Sequence, residues 1–428
     1  MIKDSLLIKN GRVIDPASRT DGIKDILCCG NRIISVDSGI NEKASKVIDA
    51  SGCIVMPGLV DMHVHLREPG REDKESVSSG TAAAARGGVT SVLAMPNTEP
   101  AIDSAENVAL LKKIIRCGAR VNVFISSAIT RERQGKELVA FDLLKKSGAA
   151  AFSDDGCSVD SGELLLKALV KSRDKGFLII CHCEDRKLSA GGAVNLGPVS
   201  TRMGLKGISA ESEYRRVERD ISLAAKARAR VHIAHVSCAE SVEIIARAKK
   251  KGIRVTAETA PHYFSLTEEA VLGYDTNMKM NPPLRRREDL EAVKRGLREG
   301  IIDAIASDHA PHTENEKEVE FHLAEFGVTG LETELSVAVT ELINGGVLDW
   351  RGLAEKMSLN PSSILGIKKG TLSEGADADA VIFSPREEWV VNAEDFASKS
   401  RNSSFLGKKL QGRVRYTVCS GKVIYAAE

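Results

Sequence analysis

The feature that most constrains this chain is an alternation in its middle: eight short apolar runs, each followed by a segment with charges at helical spacing. The runs cover residues 54–64, 89–95, 121–128, 149–153, 177–183, 231–236, 253–258 and 302–307. Each is the length of a buried strand. The segments between them, 74–86, 104–117, 136–147, 161–175, 210–229, 239–251, 287–298 and 330–343, read as helices. Eight strands each followed by a helix predict a (β/α)8 TIM barrel of the α/β class. A doubly wound open sheet gives the same alternation, but no Gly-x-Gly-x-x-Gly fingerprint follows the first strand. The two ends have a different texture. Residues 5–9, 12–14, 25–29 and 32–36 are short strand signals, with turn signals at Asn10-Gly11 and Gly30-Asn31. Residues 380–383, 414–419 and 422–426 repeat the pattern around Ser420-Gly421. Asn-Gly is a favoured hairpin turn, so a tight turn is expected at Asn10-Gly11. Both ends together predict a small β-sandwich from residues 1–53 and 366–428, beside a barrel from 54–365.

Composition removes several function classes. Hydrophobic residues make up 43% of the 428, too many for a disordered chain. The formal net charge of +1 gives no overall pull toward nucleic acid or anionic membrane. Nine scattered cysteines, an odd number, do not form a disulfide framework. No apolar run approaches the roughly 18 residues of a membrane span. The N-terminus meets an acid at once, so no signal peptide is expected and the reading is cytoplasmic.

A barrel of this kind carries its chemistry at the C-terminal ends of its strands. The first strand ends in Asp61-Met-His63-Val-His65, whose two histidines share one face. The fourth ends in Asp154-Asp155, the fifth at His182, the sixth at His235 and the eighth at Asp308-His309. Any one of these is ordinary: a lone histidine is more often a satisfied core residue, and Asp308 could cap a helix. Their collection at one end of one barrel points to a metal site. Neutral imidazole and carboxylate suit zinc and similar divalent ions, and a set without cysteine reads as catalytic rather than structural. Cys181 and Cys183 flank His182 but face away from it on a strand, and read as packing residues.

These residues also resemble a known family. Asp61-Met-His63-Val-His65 is similar to the first-strand signature of the amidohydrolase superfamily. Five longer stretches resemble the bacterial type I branch of the dihydroorotase family: His63-Val-His65-Leu-Arg67-Glu-Pro-Gly70, Ala94-Met-Pro-Asn97-Thr98, Phe152-Ser-Asp-Asp155-Gly156, Lys279-Met-Asn281-Pro-Pro-Leu-Arg285 and Ser307-Asp308-His-Ala-Pro-His312. The likeness extends to Gly375-Ala-Asp-Ala-Asp379-Ala near the C-terminus.

The resemblance implies a reversible cyclisation of N-carbamoyl-L-aspartate to L-dihydroorotate in pyrimidine synthesis, with one or two Zn2+ ions per subunit. His63, His65 and Asp308 would bind one metal, and His182 and His235 a second. Asp155 would bridge them where many superfamily members carry a carboxylated lysine; residues 149–156 contain no lysine. If the fourth strand continues through them, Asp154 and Asp155 point in opposite directions, and Asp155 is taken as the ligand. Arg67 and Asn97, beside His65, would hold the substrate carboxylate, since the arginine fork matches it. Asn281, His312 and the backbone of Phe326 and Gly327 would contact the ring amides. Asp308 would shuttle the proton. The role of His262 stays open. The long polar stretch 311–327 is expected to close over substrate as a lid. Association with an aspartate transcarbamoylase, or as a homodimer, is compatible with the resemblance; nucleic acid and membrane are not expected partners. Two rivals stand beside this reading. One is a hydantoinase or allantoinase, which Arg67, Asn97 and the aspartate bridge disfavour. The other is a non-catalytic scaffold, which the full ligand set disfavours.

Overall fold

A computed structural model of the chain describes residues 2–427. The N-terminal segment forms β1 (Ile2–Asp15), β2 (Thr20–Cys29), β3 (Arg32–Asp37), β4 (Ala44–Asp49) and β5 (Ile54–Pro57). The expected hairpin at Asn10-Gly11 is absent: β1 runs straight through it as a bulge, and the chain reverses at residues 16–19 instead. Two contacts decide this. Asn10, at φ 63°, donates its N–H to Asp25 Oδ1 at 2.9 Å, and a Cβ on Gly11 would stand 2.5 Å from Val55 Cγ2. The dipeptide thus serves a close crossing of strands, where left-handed Asn and bare Gly are equally suited.

The apolar run 54–64 is two strands, not one. Gly58 separates β5 from β6 (Leu59–Val64), and a Cβ there would lie within 2.2 Å of Thr90 Oγ1. From β6 the barrel continues through β7 (Val89–Ala94), β8 (Asn122–Ser127), β9 (Ala149–Ser153) and β10 (Leu178–Cys181). A minor parallel pair, β11 (Val194–Asn195) and β12 (Gly207–Ile208), sits in the connection before β13 (Val231–Ile233), β14 (Val255–Thr259) and β15 (Ala304–Ile305). Neighbouring barrel strands pair in parallel, in sequence order. The ring closes where the N–H of His65 donates to the His309 carbonyl at 2.9 Å. Helices 77–86, 105–118, 162–175, 211–227, 239–250 and 287–298 follow the strands as the alternation predicts. The third helix starts late, at Phe141, because Thr130 and Leu138 first form a bridge that turns residues 130–138 into a loop. Phe152 and Ile179 pack on the helix layer, while Ala151, Leu178 and Ile180 join Leu93 and Ala304 in a separate cluster, the filling of the barrel.

The C-terminal strands β16 (Ala380–Val390), β17 (Lys409–Cys419) and β18 (Lys422–Ala426) join the N-terminal ones. Pairing of β16 with β5 makes one mixed sheet of eight strands from both ends of the chain. Leu6, Ile8, Val13, Ile26, Val55 and Ile382 form its own core. No helix among the described residues is long and apolar enough to cross a membrane.

Candidate active site

His63 lies on β6, but other strands stop short of the chemistry. β10 ends at Cys181 and β13 at Ile233, so His182 and His235 stand just beyond them. Three candidate residues leave their strands in the left-handed region: Arg67 at φ 59°, His235 at 36° and Asp308 at 48°. Such backbone is costly and persists where surrounding contacts over-determine it. Asp61 supplies some of them. Its carboxylate accepts the N–H of His63 at 3.0 Å and of Ser307 at 3.2 Å, as well as the Ser307 hydroxyl, fastening β6 to the segment that carries Asp308.

Asp154 and Asp155 point in opposite directions, although β9 ends at Ser153, before both of them. Asp154 turns to the neighbouring loop and accepts from the N–H groups of Ile129 and Thr130 and from the Thr130 hydroxyl. Asp155 turns to the histidines. Its Oδ1 lies 3.1 Å from His63 Nε2, 3.5 Å from His182 Nδ1 and 3.8 Å from His235 Nε2; its Oδ2 lies 3.5 Å from His65 Nε2. Asp308 Oδ1 stands 3.4 Å from His65 Nε2 and 3.7 Å from His63 Nε2. His182 and His235 meet at 2.7 Å.

This donor set fits a divalent metal. His63 Nε2 and Asp155 Oδ1 face each other deep in the protein, yet neither has a hydrogen-bond partner. Buried polar atoms are rarely left so, and a shared cation satisfies both. His63, His65 and Asp155 form one group with ligand atoms within 4.8 Å of one another, and Asp155, His182 and His235 form a second. Asp155 belongs to both. Electrostatics agree. Burial opposes a charge on His63, but Asp155 and Glu258 lift its pKa well above the ordinary value. Burial likewise opposes ionisation of Asp155, but His63, His182 and His235 hold its pKa well below the usual range. The pocket therefore demands positive charge, which protons on histidine supply and a metal would displace.

Behind the candidate ligands stand residues that orient them. Glu258, on β14, was not singled out from the sequence. Its Oε1 lies 2.7 Å from His63 Nδ1 and its Oε2 3.3 Å from His232 Nε2. An acid in an otherwise uncharged barrel strand was the available signal. Glu184 Oε2 stands 3.3 Å from His182 Nε2 and accepts from Asn281 Nδ2 at 3.2 Å. Asn97 Oδ1 lies 2.8 Å from His65 Nδ1, so this residue holds the His65 ring as well as facing the cavity. His262 is in neither metal group; it packs edge-on against Tyr263 and burial pushes its pKa down to about 4.

A cavity of about 370 Å³ opens over the cluster. Arg67, Asn97, Asn281, His312, Phe326 and Gly327 all line it, together with His65, Asp155 and Asp308. His312 Nε2 donates to the Phe326 carbonyl at 2.8 Å, and Lys74 reaches its Nδ1 at 3.1 Å. The stretch 311–327 lies along the rim. Two lysines pin it: Lys317 donates to the carbonyls of Glu325 and Gly327, and Lys279 to those of His322 and Ala324. Arg71, Lys74, Arg133 and Glu325 also face the cavity and were not anticipated. Cys181 and Cys183 pack in the helix layer, away from the cluster.

Comparison with known proteins gives the same assignment. Residues 52–241 match the Dihydro-orotase-like family. The curated dihydroorotase of Elusimicrobium minutum is 53% identical over 97% of this chain and 96% of its own length. The chain belongs to the dihydroorotase family. The dihydroorotase of Pelotomaculum thermopropionicum is 51% identical over 98% of both chains. Among solved structures, L-hydantoinase from Arthrobacter aurescens superposes with a TM-score of 0.88 at 26% identity, over 98% of this chain and 95% of that one. The dihydroorotase family thus shares its barrel and terminal sheet with hydantoinases, while the curated dihydroorotases are about twice as similar in sequence.

Proposed function

We propose that the chain catalyses the reversible ring closure of N-carbamoyl-L-aspartate to L-dihydroorotate, with zinc as the metal, as a cyclic amide hydrolase in the cytoplasm. The observation that carries this is the convergence of four histidines and two aspartates beneath a cavity that Arg67 and Asn97 also line. His63, His65 and Asp308 would hold one ion, His182 and His235 another, with Asp155 between them. A divalent ion bound there supplies Lewis acidity to a carbonyl and acidifies water.

The chain's own residues do the rest. Arg67 and Asn97 hold the carboxylate that survives ring closure, and Asn281, His312 and the Gly327 backbone orient the amides. Asp308 carries the proton. Burial opposes its charge, yet His65, His63 and His235 hold its pKa far below the ordinary carboxylate value, so it enters ionised. In hydrolysis it takes a proton from the attacking water and delivers it to the leaving ring nitrogen. In synthesis it takes a proton from the ureido nitrogen and delivers it to the departing oxygen. An aspartate transcarbamoylase and a second copy of the chain are the partners this reading admits.

The test is loss of L-dihydroorotate absorbance by the zinc-supplemented protein, with hydantoin and allantoin as competitors and a chelator as control. Turnover of dihydroorotate that the chelator abolishes is expected; turnover of hydantoin or allantoin in its place would transfer the site to those substrates. The proton balance gives a second check. Ring closure consumes one proton, because a carboxylate becomes an amide carbonyl. The equilibrium ratio of ring to open form should fall about tenfold per pH unit across neutrality, as one linked proton demands. A ratio indifferent to pH would mean another reaction.

A further inference from the structure

The ring of His312 has a partner at each nitrogen. Nδ1 lies 3.1 Å from the Lys74 ammonium, and Nε2 lies 2.8 Å from the Phe326 carbonyl. An ammonium only donates and a carbonyl only accepts, so the two contacts agree: the one proton of a neutral imidazole sits on Nε2. Burial, then Arg67, Lys74 and Lys317, pull the pKa of His312 down to about 2, which keeps the ring neutral near neutral pH. A competitor stands at the same nitrogen as Lys74. Glu316 Oε2 is 3.4 Å from Nδ1 and would accept a proton placed there. That oxygen already accepts from the N–H and hydroxyl of Thr313, at 3.0 and 3.1 Å.

Lys74 is held for this contact. It is buried, and its carbonyl accepts the Ser400 hydroxyl at 2.6 Å, while the His312 N–H donates to Asn402 Oδ1 at 3.2 Å. One segment thus fixes the backbone of both residues. A buried ammonium needs a charge partner. Glu316 Oε1 supplies it, 2.8 Å from Lys74 and 2.8 Å from Arg71. At the other nitrogen, Arg67 Nη2 lies 3.3 Å from Nε2. With the proton on Nε2, these are two donors side by side, and one oxygen of a bound molecule can accept from both. With the proton on Nδ1, Nε2 becomes an acceptor and Arg67 donates to it instead. The tautomer decides whether the cavity offers two donors or a pair that satisfies itself.

We propose that Lys74 is a positioning residue: by donating to Nδ1 it keeps the His312 proton on Nε2, so that His312 and Arg67 both face substrate as donors. The inference rests on the substrate contacts proposed above for those two residues. Lys74 itself touches no substrate in this scheme. It holds the far side of the ring, as a second residue often fixes the tautomer of a functional histidine.

The experiment compares zinc-loaded wild type with Lys74→Met, Lys74→Gln and Glu316→Gln by steady-state kinetics in both directions, with metal content and circular dichroism alongside. Nitrogen-15 spectra of histidine-labelled protein read the tautomer, and His312→Asn identifies the signal. Lys74→Met should move the His312 proton to Nδ1. KM for both N-carbamoyl-L-aspartate and dihydroorotate should then rise about tenfold or more at unchanged kcat, as for the loss of a charge-assisted hydrogen bond made equally in ground and transition states. Lys74→Gln keeps an N–H donor without the charge and should restore the Nε2 proton and most of the affinity. Glu316→Gln breaks the same ion pair but leaves Lys74 at Nδ1, so its KM values should match the wild type. A proton that stays on Nε2 in Lys74→Met, a glutamine at position 74 no better than methionine, a KM rise in Glu316→Gln equal to that in Lys74→Met, or loss of metal or fold in both Lys74 variants would each overturn the proposal and leave Lys74 a tether for Glu316. A wild-type protein inert toward both compounds removes the assigned reaction, and the spectra then still decide what Lys74 does to His312.

Discussion

Asp308→Asn should fold, melt within a few degrees of the wild type, and lose about 10²–10⁴-fold of turnover in both directions, the range for removing a positioned acid–base group. The substitution is chosen for its backbone as much as its chemistry. Asp308 sits at φ 48°, and asparagine is the residue that best shares aspartate's tolerance of that region. The amide keeps the oxygen that faces His65 and His63 but cannot carry a proton from water to nitrogen. Initial rates in both directions, with metal content by elemental analysis, decide the matter. Turnover near the wild-type value would end the proton-shuttle role. Turnover lost together with the metal would leave Asp308 its role as a metal ligand and remove the support for the proton shuttle. Retained metal with lost turnover is the expected result.

Much of this arrangement was legible because barrel strands translate periodicity directly into position. His63 and His65, two apart, had to share a face, and they do; Asp154 and Asp155 also part, but in the turn beyond the end of β9 at Ser153. The helix boundaries came through where apolar spacing is strong, as in 239–250 and 287–298. The misreadings fall where a local signal serves a long-range contact. Asn10-Gly11 carries a hairpin signature, but the crossing of Val55 over Gly11 and the Asp25 carboxylate at Asn10 decide its conformation. Gly58 cuts a continuous apolar run because Thr90 occupies the space a side chain would need. Arg133 escaped notice for a similar reason. It lies in a segment read as the approach to a helix, and reaches the cavity only through the loop that Thr130 and Asp154 hold. Glu258 escaped because a single acid in a strand gives no hint of which two histidines it will meet.

Glu258 carries the second large effect. It is fully enclosed, and burial raises the cost of its charge, yet His232 and His63 draw its pKa down to about 2. It joins three strands: β14 to His63 on β6 and to His232 on β13. Glu258→Gln keeps the shape and one acceptor oxygen but removes the charge that favours a metal-binding His63. Its affinity for the metal should fall about 10–100-fold, the usual penalty for losing a carboxylate behind a histidine ligand. Glu258→Ala leaves His63 Nδ1 without its acceptor and His232 without the carboxylate beside it, and should cost about 3–5 kcal/mol of stability, as for breaking one side of a buried pair. Competition titration with a chromophoric chelator measures the first, and denaturant unfolding of the metal-free protein the second. The order of effects is the informative part. If Glu258 acts by orienting His63, the glutamine variant loses affinity while its metal-free stability stays well above that of the alanine variant. If the glutamine variant binds metal as tightly as the wild type, the carboxylate merely neutralises buried histidines, and the tautomer of His63 must be set by Asp155 alone.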